Sequence, residues 1–316
     1  MTNTTIGATH GWRKAAFPAL VIGAILLALL GACAEDAAER DERPLVVTTF
    51  TILQDFAERV AGEHLRVETI VPIGAEVHEW ELSPGNFVDL ENASLVFYNG
   101  YNIEQWMRQV RTTVGSEVPV IAVAEETGHE PLPIMLGDFE GAADPHLWMD
   151  PRKAADYVAV MRDAFIELDP DNSEAYERNA SETIELFHDL YDDLHETLAA
   201  IPDERRVLIT SEAAFLYFAD AFGFEHEAIW GTNHEEEGTP DQIVRVVELV
   251  RQSDVPVAYY ESTMSDRHIR AVAEDTGVRV AGPLYVDSTS GPDGEAPDYP
   301  AMLRHNAELL VEHLGR

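Results

Sequence analysis

The chain has 316 residues, 58 of them acidic and 21 basic, for a formal charge of −37. Such acidity argues against nucleic acid or an anionic membrane surface as partner, and it would raise the concentration of cations in any cleft. Adaptation of the surface to a saline environment accounts for most of these acids, so charge alone does not indicate a metal site. Cys33 is the single cysteine, which excludes an internal disulfide.

Arg13 and Lys14 precede an apolar run over residues 15–30. The run is too short and too one-sided for a spanning helix and reads as a secretory signal over residues 1–32. It ends in Leu30-Gly31-Ala32-Cys33, which is similar to a bacterial lipobox, where the cysteine is lipidated and becomes the new N-terminus. Residues 34–43 are small, charged and aperiodic, so 33–43 reads as a flexible tether.

From residue 44 strands and helices alternate. Apolar, β-branched runs predict strands at 44–50, 65–71, 95–98 and 118–123, with helices at 52–61, 85–92 and 103–114 between them. Residues 125–143 form a loop rich in Gly, Pro and acids. A helix follows over 151–168 and is broken by Asp169-Pro170-Asp171. Residues 173–200 then carry Tyr176, Ala180, Ile184, Phe187, Leu190, Leu194 and Leu198 at steps of three and four, one long helix. The alternation restarts with strands at 206–210, 226–230, 257–260 and 278–281, and helices at 212–222, 241–252, 265–276 and 299–314. Strand–helix alternation implies parallel sheets. The expected architecture is α/β: a lobe over 44–172, a linking helix over 173–200, and a second lobe over 201–316.

Asp144-Pro145-His146-Leu147-Trp148-Met149-Asp150-Pro151 is the most informative stretch. Two Asp-Pro pairs stiffen it, and His146 is the side chain it presents. The same residues also suit a helix start, with Asp150 as N-cap and Pro151 at the first position. Three further candidates follow predicted strands: His78, Glu212 and Asp287. Ligands of open α/β sheets bind beyond the carboxyl ends of strands. Each candidate has a plainer reading. His78 suits an exposed loop, Glu212 suits the cap of the next helix, and Asp287 suits a turn ahead of Ser288. His234, beside Glu235, Glu236 and Glu237, is the one other histidine in ligand-like company; the sequence carries no His-Glu-x-x-His signature, P-loop or nucleophile elbow.

Together these residues resemble the metal-binding receptors of bacterial ABC importers, the cluster 9 (A-I) solute-binding proteins. The resemblance rests on Asn99-Gly100-Tyr101-Asn102-Ile103-Glu104, Asp144-Pro145-His146-Leu147-Trp148, Thr210-Ser211-Glu212, Glu237-Gly238-Thr239-Pro240, Glu261-Ser262 and Asp287-Ser288, in that order, with the lipobox and the long helix. It implies that His78, His146, Glu212 and Asp287 hold one divalent ion between two lobes, with no catalytic residue and no enzymatic activity. It further implies an exported monomer, held by lipid on Cys33 at the outer face of the cytoplasmic membrane or in the periplasm, that serves an ABC permease and its ATPase subunit. The family's zinc-type members carry histidine at the third ligand and its manganese-type members glutamate; Glu212 therefore implies Mn²⁺, with Fe²⁺ or Zn²⁺ as alternatives. The short acidic loop holding only His129 points the same way. Glu76-Val77 stands where the family has Asp-Pro, so that loop is expected to be less rigid.

Carboxylate oxygens suit hard ions such as Mn²⁺, and imidazole suits several first-row metals. Both histidines must be neutral to bind, so affinity is expected to fall below roughly pH 6. Zn²⁺ should also bind tightly in vitro, because Mn²⁺ is the weakest binder of its series. The competing roles are a secreted metallohydrolase, with Glu76 or Glu235 as base, and a surface adhesin.

Overall fold

The central strands of the first half are apolar at nearly every position, as parallel strands covered on both faces must be. Strands β1 (Leu45–Thr48), β2 (Arg66–Thr69), β3 (Leu95–Tyr98) and β4 (Val120–Ala122) form one parallel sheet in the order β2-β1-β3-β4. Val46 lies opposite both Val67 and Leu95 in register. Helices α1 (Thr51–Ala61), α2 (Pro84–Asn92) and α3 (Met107–Thr113) connect the strands, and a single turn, α4 (Val123–Glu126), ends this alternation. The computed structural model describes residues 1, 2, 7, 41–232, 238–253 and 255–315. Most of the expected signal, Cys33, most of the tether, and His234 with its three glutamates lie outside the described residues.

Helix α5 (Pro151–Leu168) begins where the sequence placed it. The Asp150 carboxylate accepts from the Arg152 amide, and Pro151, which has no amide proton, fills the first position. Helix α6 (Ser173–Leu198) is 26 residues long, or about 40 Å at 1.5 Å per residue. It packs along α1, α5 and the last helix of the chain, α10 (Tyr299–Leu314). The stripe Tyr176, Ala180, Phe187, Leu190, Leu194 and Leu198 is its buried face. Phe56 of α1 joins these helices, with its ring 6.0 Å from Tyr157, 5.1 Å from Phe187 and 4.8 Å from Tyr299.

The second half alternates in the same way. It comprises β5 (Val207–Glu212), α7 (Leu216–Phe222), β6 (Glu225–Trp230), α8 (Pro240–Gln252), β7 (Val257–Glu261), α9 (Arg267–Thr276) and β8 (Arg279–Leu284). β5 pairs with β6 and β7 with β8, both parallel, and β5 runs alongside β7. Arg43–Arg316 is one compact unit by its contacts. Among the described residues no helix is long and apolar enough to cross a membrane.

Two elements differ from the sequence reading, and both lie beside the ligand candidates. The helix expected over 103–114 forms only from Met107, and Tyr101 and Asn102, ahead of it, adopt positive φ values of 47° and 62°. The helix expected from Glu212 starts at Leu216 instead; Glu212 is the last residue of β5, paired in register with Trp230. Glu212 therefore does not cap a helix. Periodicity could not separate these cases, since short apolar runs fit both helix and strand.

Candidate metal centre

Each of the four candidates comes from a separate segment, and all four are buried. His78 lies in the loop after β2. Glu76-Val77 precedes it where the resembled family has Asp-Pro, yet this loop is pinned rather than loose. The Glu76 carboxylate accepts from the amides of His78 (3.0 Å) and Glu79 (3.2 Å). The Trp106 indole donates to the Val77 carbonyl at 2.8 Å, and the Gly74 amide donates to Ser288 Oγ at 2.7 Å. Hydrogen bonds replace the stiffness of a proline ring.

His146 is held by Asp144 two residues earlier. Asp144 Oδ1 lies 3.2 Å from His146 Nδ1 and accepts the His146 amide at 2.9 Å. With Nδ1 engaged, Nε2 is the nitrogen that faces the other candidates, the usual arrangement of a carboxylate behind a metal-binding imidazole. The carbonyl of Pro145 accepts from Asn99 Nδ2 at 3.0 Å, and Asn99 is itself held by the Tyr157 hydroxyl. The Tyr217 hydroxyl donates to the Asp144 carbonyl at 3.1 Å and accepts the Leu132 amide at 2.8 Å, tying this loop to α7.

Asp287 follows β8. The Trp148 indole donates to the Val286 carbonyl at 3.0 Å, and the Thr289 amide donates to Thr51 Oγ1 at 2.9 Å. With the Gly74–Ser288 bond, three hydrogen bonds seat the Asp287 segment on the first half. Glu212 reaches the cluster from the end of β5.

One donor atom from each of His78, His146, Glu212 and Asp287 lies within 4.8 Å of every other. His78 Nε2 is 3.6 Å from Glu212 Oε1, and His146 Nε2 is 3.7 Å from Asp287 Oδ1. These distances are too long for hydrogen bonds. They match donors sharing one ion, since bonds of about 2.1 Å in a tetrahedron separate neighbouring donors by about 3.4 Å. His146 Nε2 and both oxygens of Asp287 are buried with no hydrogen-bond partner. Such atoms are costly inside a protein, and a cation among them would remove that cost.

Electrostatics agree with the geometry. Burial pushes the Asp287 carboxyl up to about 7, opposed in part by His146. Burial would depress His146, but Asp144, then Asp287 and Glu76, outweigh it and raise its pKa above the ordinary imidazole value. A metal must displace those protons, so the loss of affinity on acidification begins at a higher pH than an ordinary imidazole would give.

Other histidines are spent elsewhere. His129 lies 2.7 Å from the Asp156 carboxylate at the surface. His305 bonds the Pro283 carbonyl at 3.1 Å. Three buried groups near the site escaped the sequence reading as functional residues: Glu104, His226 and Glu261. The signal available for Glu261 was an acid directly ending an apolar strand, Val257-Ala258-Tyr259-Tyr260.

Comparison with known proteins identifies the family. The family described as "ZnuA: Zinc-uptake complex component A periplasmic" matches residues 46–313. The chain is 36% identical over 304 residues to the iron-binding protein YfeA of Yersinia pestis, covering 96% of this chain and 97% of YfeA. It is 36% identical over 306 residues to the manganese-binding lipoprotein MntA of Halalkalibacterium halodurans, covering 96% and 100%. Among solved structures, a Mn-bound periplasmic metal binding protein from Candidatus Liberibacter asiaticus superposes with a TM-score of 0.77 at 29% identity, over 85% of this chain and 99% of that one. The periplasmic zinc binding protein TroA of Treponema pallidum gives a TM-score of 0.81 at 25% identity, over 87% and 100%. Full-length similarity to these proteins and a buried four-residue donor cluster lead to one conclusion: this chain belongs to the ZnuA family, the metal-binding solute-binding proteins of ABC importers.

Proposed function

We propose that His78, His146, Glu212 and Asp287 hold a single divalent ion, Mn²⁺ in the cell, which the protein captures outside the cytoplasmic membrane and hands to an ABC permease coupled to its ATPase. The observation that carries this reading is the convergence of four buried donors within 4.8 Å. Two carboxylates and two imidazoles suit a hard ion with more than four contacts better than a four-coordinate zinc. The relatives divide as that chemistry allows: MntA is named for manganese, YfeA for iron and TroA for zinc. Iron is the second reading, since Fe²⁺ adjoins Mn²⁺ in the affinity series and takes the same donors.

In this reading residues 1–32 export the chain, lipid on Cys33 anchors it, and 33–43 give a monomeric receptor its reach. The lobes 44–172 and 201–316, joined by 173–200, close on the ion. The ties of Gly74, Thr51 and Trp148 to the Asp287 segment keep that part of the cleft joined as the lobes close. The role is carriage, not catalysis. Of the two candidate bases, Glu76 is engaged with two amides, and Glu235 lies outside the described residues.

Metal analysis of protein purified from its native host, with parallel titrations of Mn²⁺, Fe²⁺ and Zn²⁺, tests the assignment. The expected result is bound manganese, and a deletion strain whose uptake defect added manganese relieves. Bound zinc with no manganese phenotype would overturn it.

A further inference from the structure

Glu261 ends β7 and is fully buried. Its Oε1 accepts two successive amides, those of Ser211 and Glu212, each at 3.0 Å. Successive amides of a regular strand point to opposite edges, so the end of β5 turns to bring both onto one oxygen. The other side of the Glu212 peptide is held as well. Thr210 Oγ1 donates to the Glu212 carbonyl at 2.6 Å and lies 2.7 Å from His226 Nε2. A hydroxyl has one proton, and Thr210 gives it to that carbonyl, so His226 Nε2–H donates to Thr210. Burial, aided by nearby His146, depresses His226 to about 3 and keeps it neutral for this role. Three adjacent strands thus supply side chains that grip Glu212 by both its N–H and its C=O.

The first half repeats the device. Glu104 is buried; it accepts the Asn99 amide at 2.7 Å, the Gly100 amide at 3.3 Å and the Thr49 hydroxyl at 2.7 Å. Asn99 then holds the carbonyl preceding His146. Each half therefore places one buried carboxylate on two successive amides at a strand end beside the site.

We propose that Glu261 is a positioning residue for Glu212 and, together with the His226–Thr210 pair, sets the metal preference of the site. This rests on the reading of Glu212 as a metal ligand. A glutamate offers an ion two oxygens only if its carboxylate faces the ion squarely. A loosened backbone lets it turn to one-oxygen contact, which a four-coordinate ion such as Zn²⁺ tolerates and Mn²⁺ does not. Groups behind a metal ligand change affinity by about 10–100-fold when removed.

The test is competitive titration of Mn²⁺ and Zn²⁺ on the full chain carrying Glu261→Leu or Glu261→Gln, with the thermal midpoint measured in parallel. Glu261→Leu is expected to weaken Mn²⁺ binding by about 10–100-fold and Zn²⁺ binding by much less. Glu261→Gln, which keeps an acceptor oxygen for both amides, should restore the native Mn²⁺ to Zn²⁺ ratio. Should Glu261→Leu not fold, Thr210→Val removes only the hydroxyl on the Glu212 carbonyl and is expected to shift the ratio in the same direction. A lower thermal midpoint with an unchanged ratio would make Glu261 a purely structural residue and overturn the proposal. Glu212→Ala separates the two readings. If it loses Mn²⁺ binding while Glu261→Leu leaves the ratio unchanged, only the positioning role falls; if it binds both metals like the native protein, the ligand assignment falls and the positioning role with it.

Discussion

Among single residues, Glu212 carries the choice of metal in the proposed reading, and His146 carries its pH dependence. Glu212 is the candidate ligand that ends a strand, and it faces His78 at 3.6 Å. Replacing its carboxylate with imidazole, Glu212→His, gives three nitrogens and one carboxylate, a set that favours zinc. The Zn²⁺ to Mn²⁺ affinity ratio should rise by at least about tenfold, a difference of about 1.4 kcal/mol. Paired titrations that leave the ratio flat would refute the role of the third ligand. His146 was legible in the sequence because two Asp-Pro pairs frame it. Its partner Asp144 was legible only as part of that frame, since hydrogen bonding from the ring is a matter of rotamer and burial.

Among the elements, the helices α1, α5, α6 and α10 act as one block because Phe56 lies against Tyr157, Phe187 and Tyr299 together. Tyr299 also donates its hydroxyl to the Trp148 carbonyl, one residue from the start of the Met149–Pro151 connection into α5. Phe56→Ala removes a buried ring from the centre of this block. A cost of about 3–5 kcal/mol is expected in denaturant unfolding, with metal affinity at the remaining folded protein nearly native. A midpoint shift worth less than about 1 kcal/mol would mean that the block is held elsewhere. Strand and helix periodicity disclosed these helices. The same periodicity misplaced the starts of α3 and α7, both beside the metal centre. There the backbone answers to Glu104 and Glu261 rather than to its own side-chain pattern.

Over the whole molecule, buried carboxyls set how stability depends on pH. Burial pushes Glu104 and Glu261 up to about 7 from 4.5, and Asp287 up to about 7 from 3.8. A folded pKa above the unfolded one means that the native state holds the proton more tightly. The stability so gained is present below the unfolded value and is lost as pH rises towards 7. His226, depressed to about 3 from 6.5, acts in the opposite sense over the same range. Three carboxyls outweigh one histidine, so the metal-free protein should lose thermal stability between about pH 5 and pH 7. A cation that neutralises Asp287 should flatten that decline. Scanning calorimetry with and without Mn²⁺ checks both; a rising midpoint in the metal-free protein would contradict the argument.

The net charge of −37 acts at longer range. It should draw cations towards the cleft, so the association rate for Mn²⁺ should fall as ionic strength rises, most steeply below about 0.1 M where the screening length exceeds 10 Å. Stopped-flow binding across a salt series measures this, and a flat profile would assign the charge to solubility alone.

The sequence by itself determined the α/β alternation, the long helix and the four candidate donors, because periodicity, proline and strand-end position are local properties. His78, His146, Glu212 and Asp287 could be named from it, but their 4.8 Å convergence could not. Only the tertiary structure decided that convergence, the seating of Asp287 on the first half, and the grip of Glu261 and His226 on Glu212. Each depends on burial and on partners tens to hundreds of residues away, and chain order fixes neither.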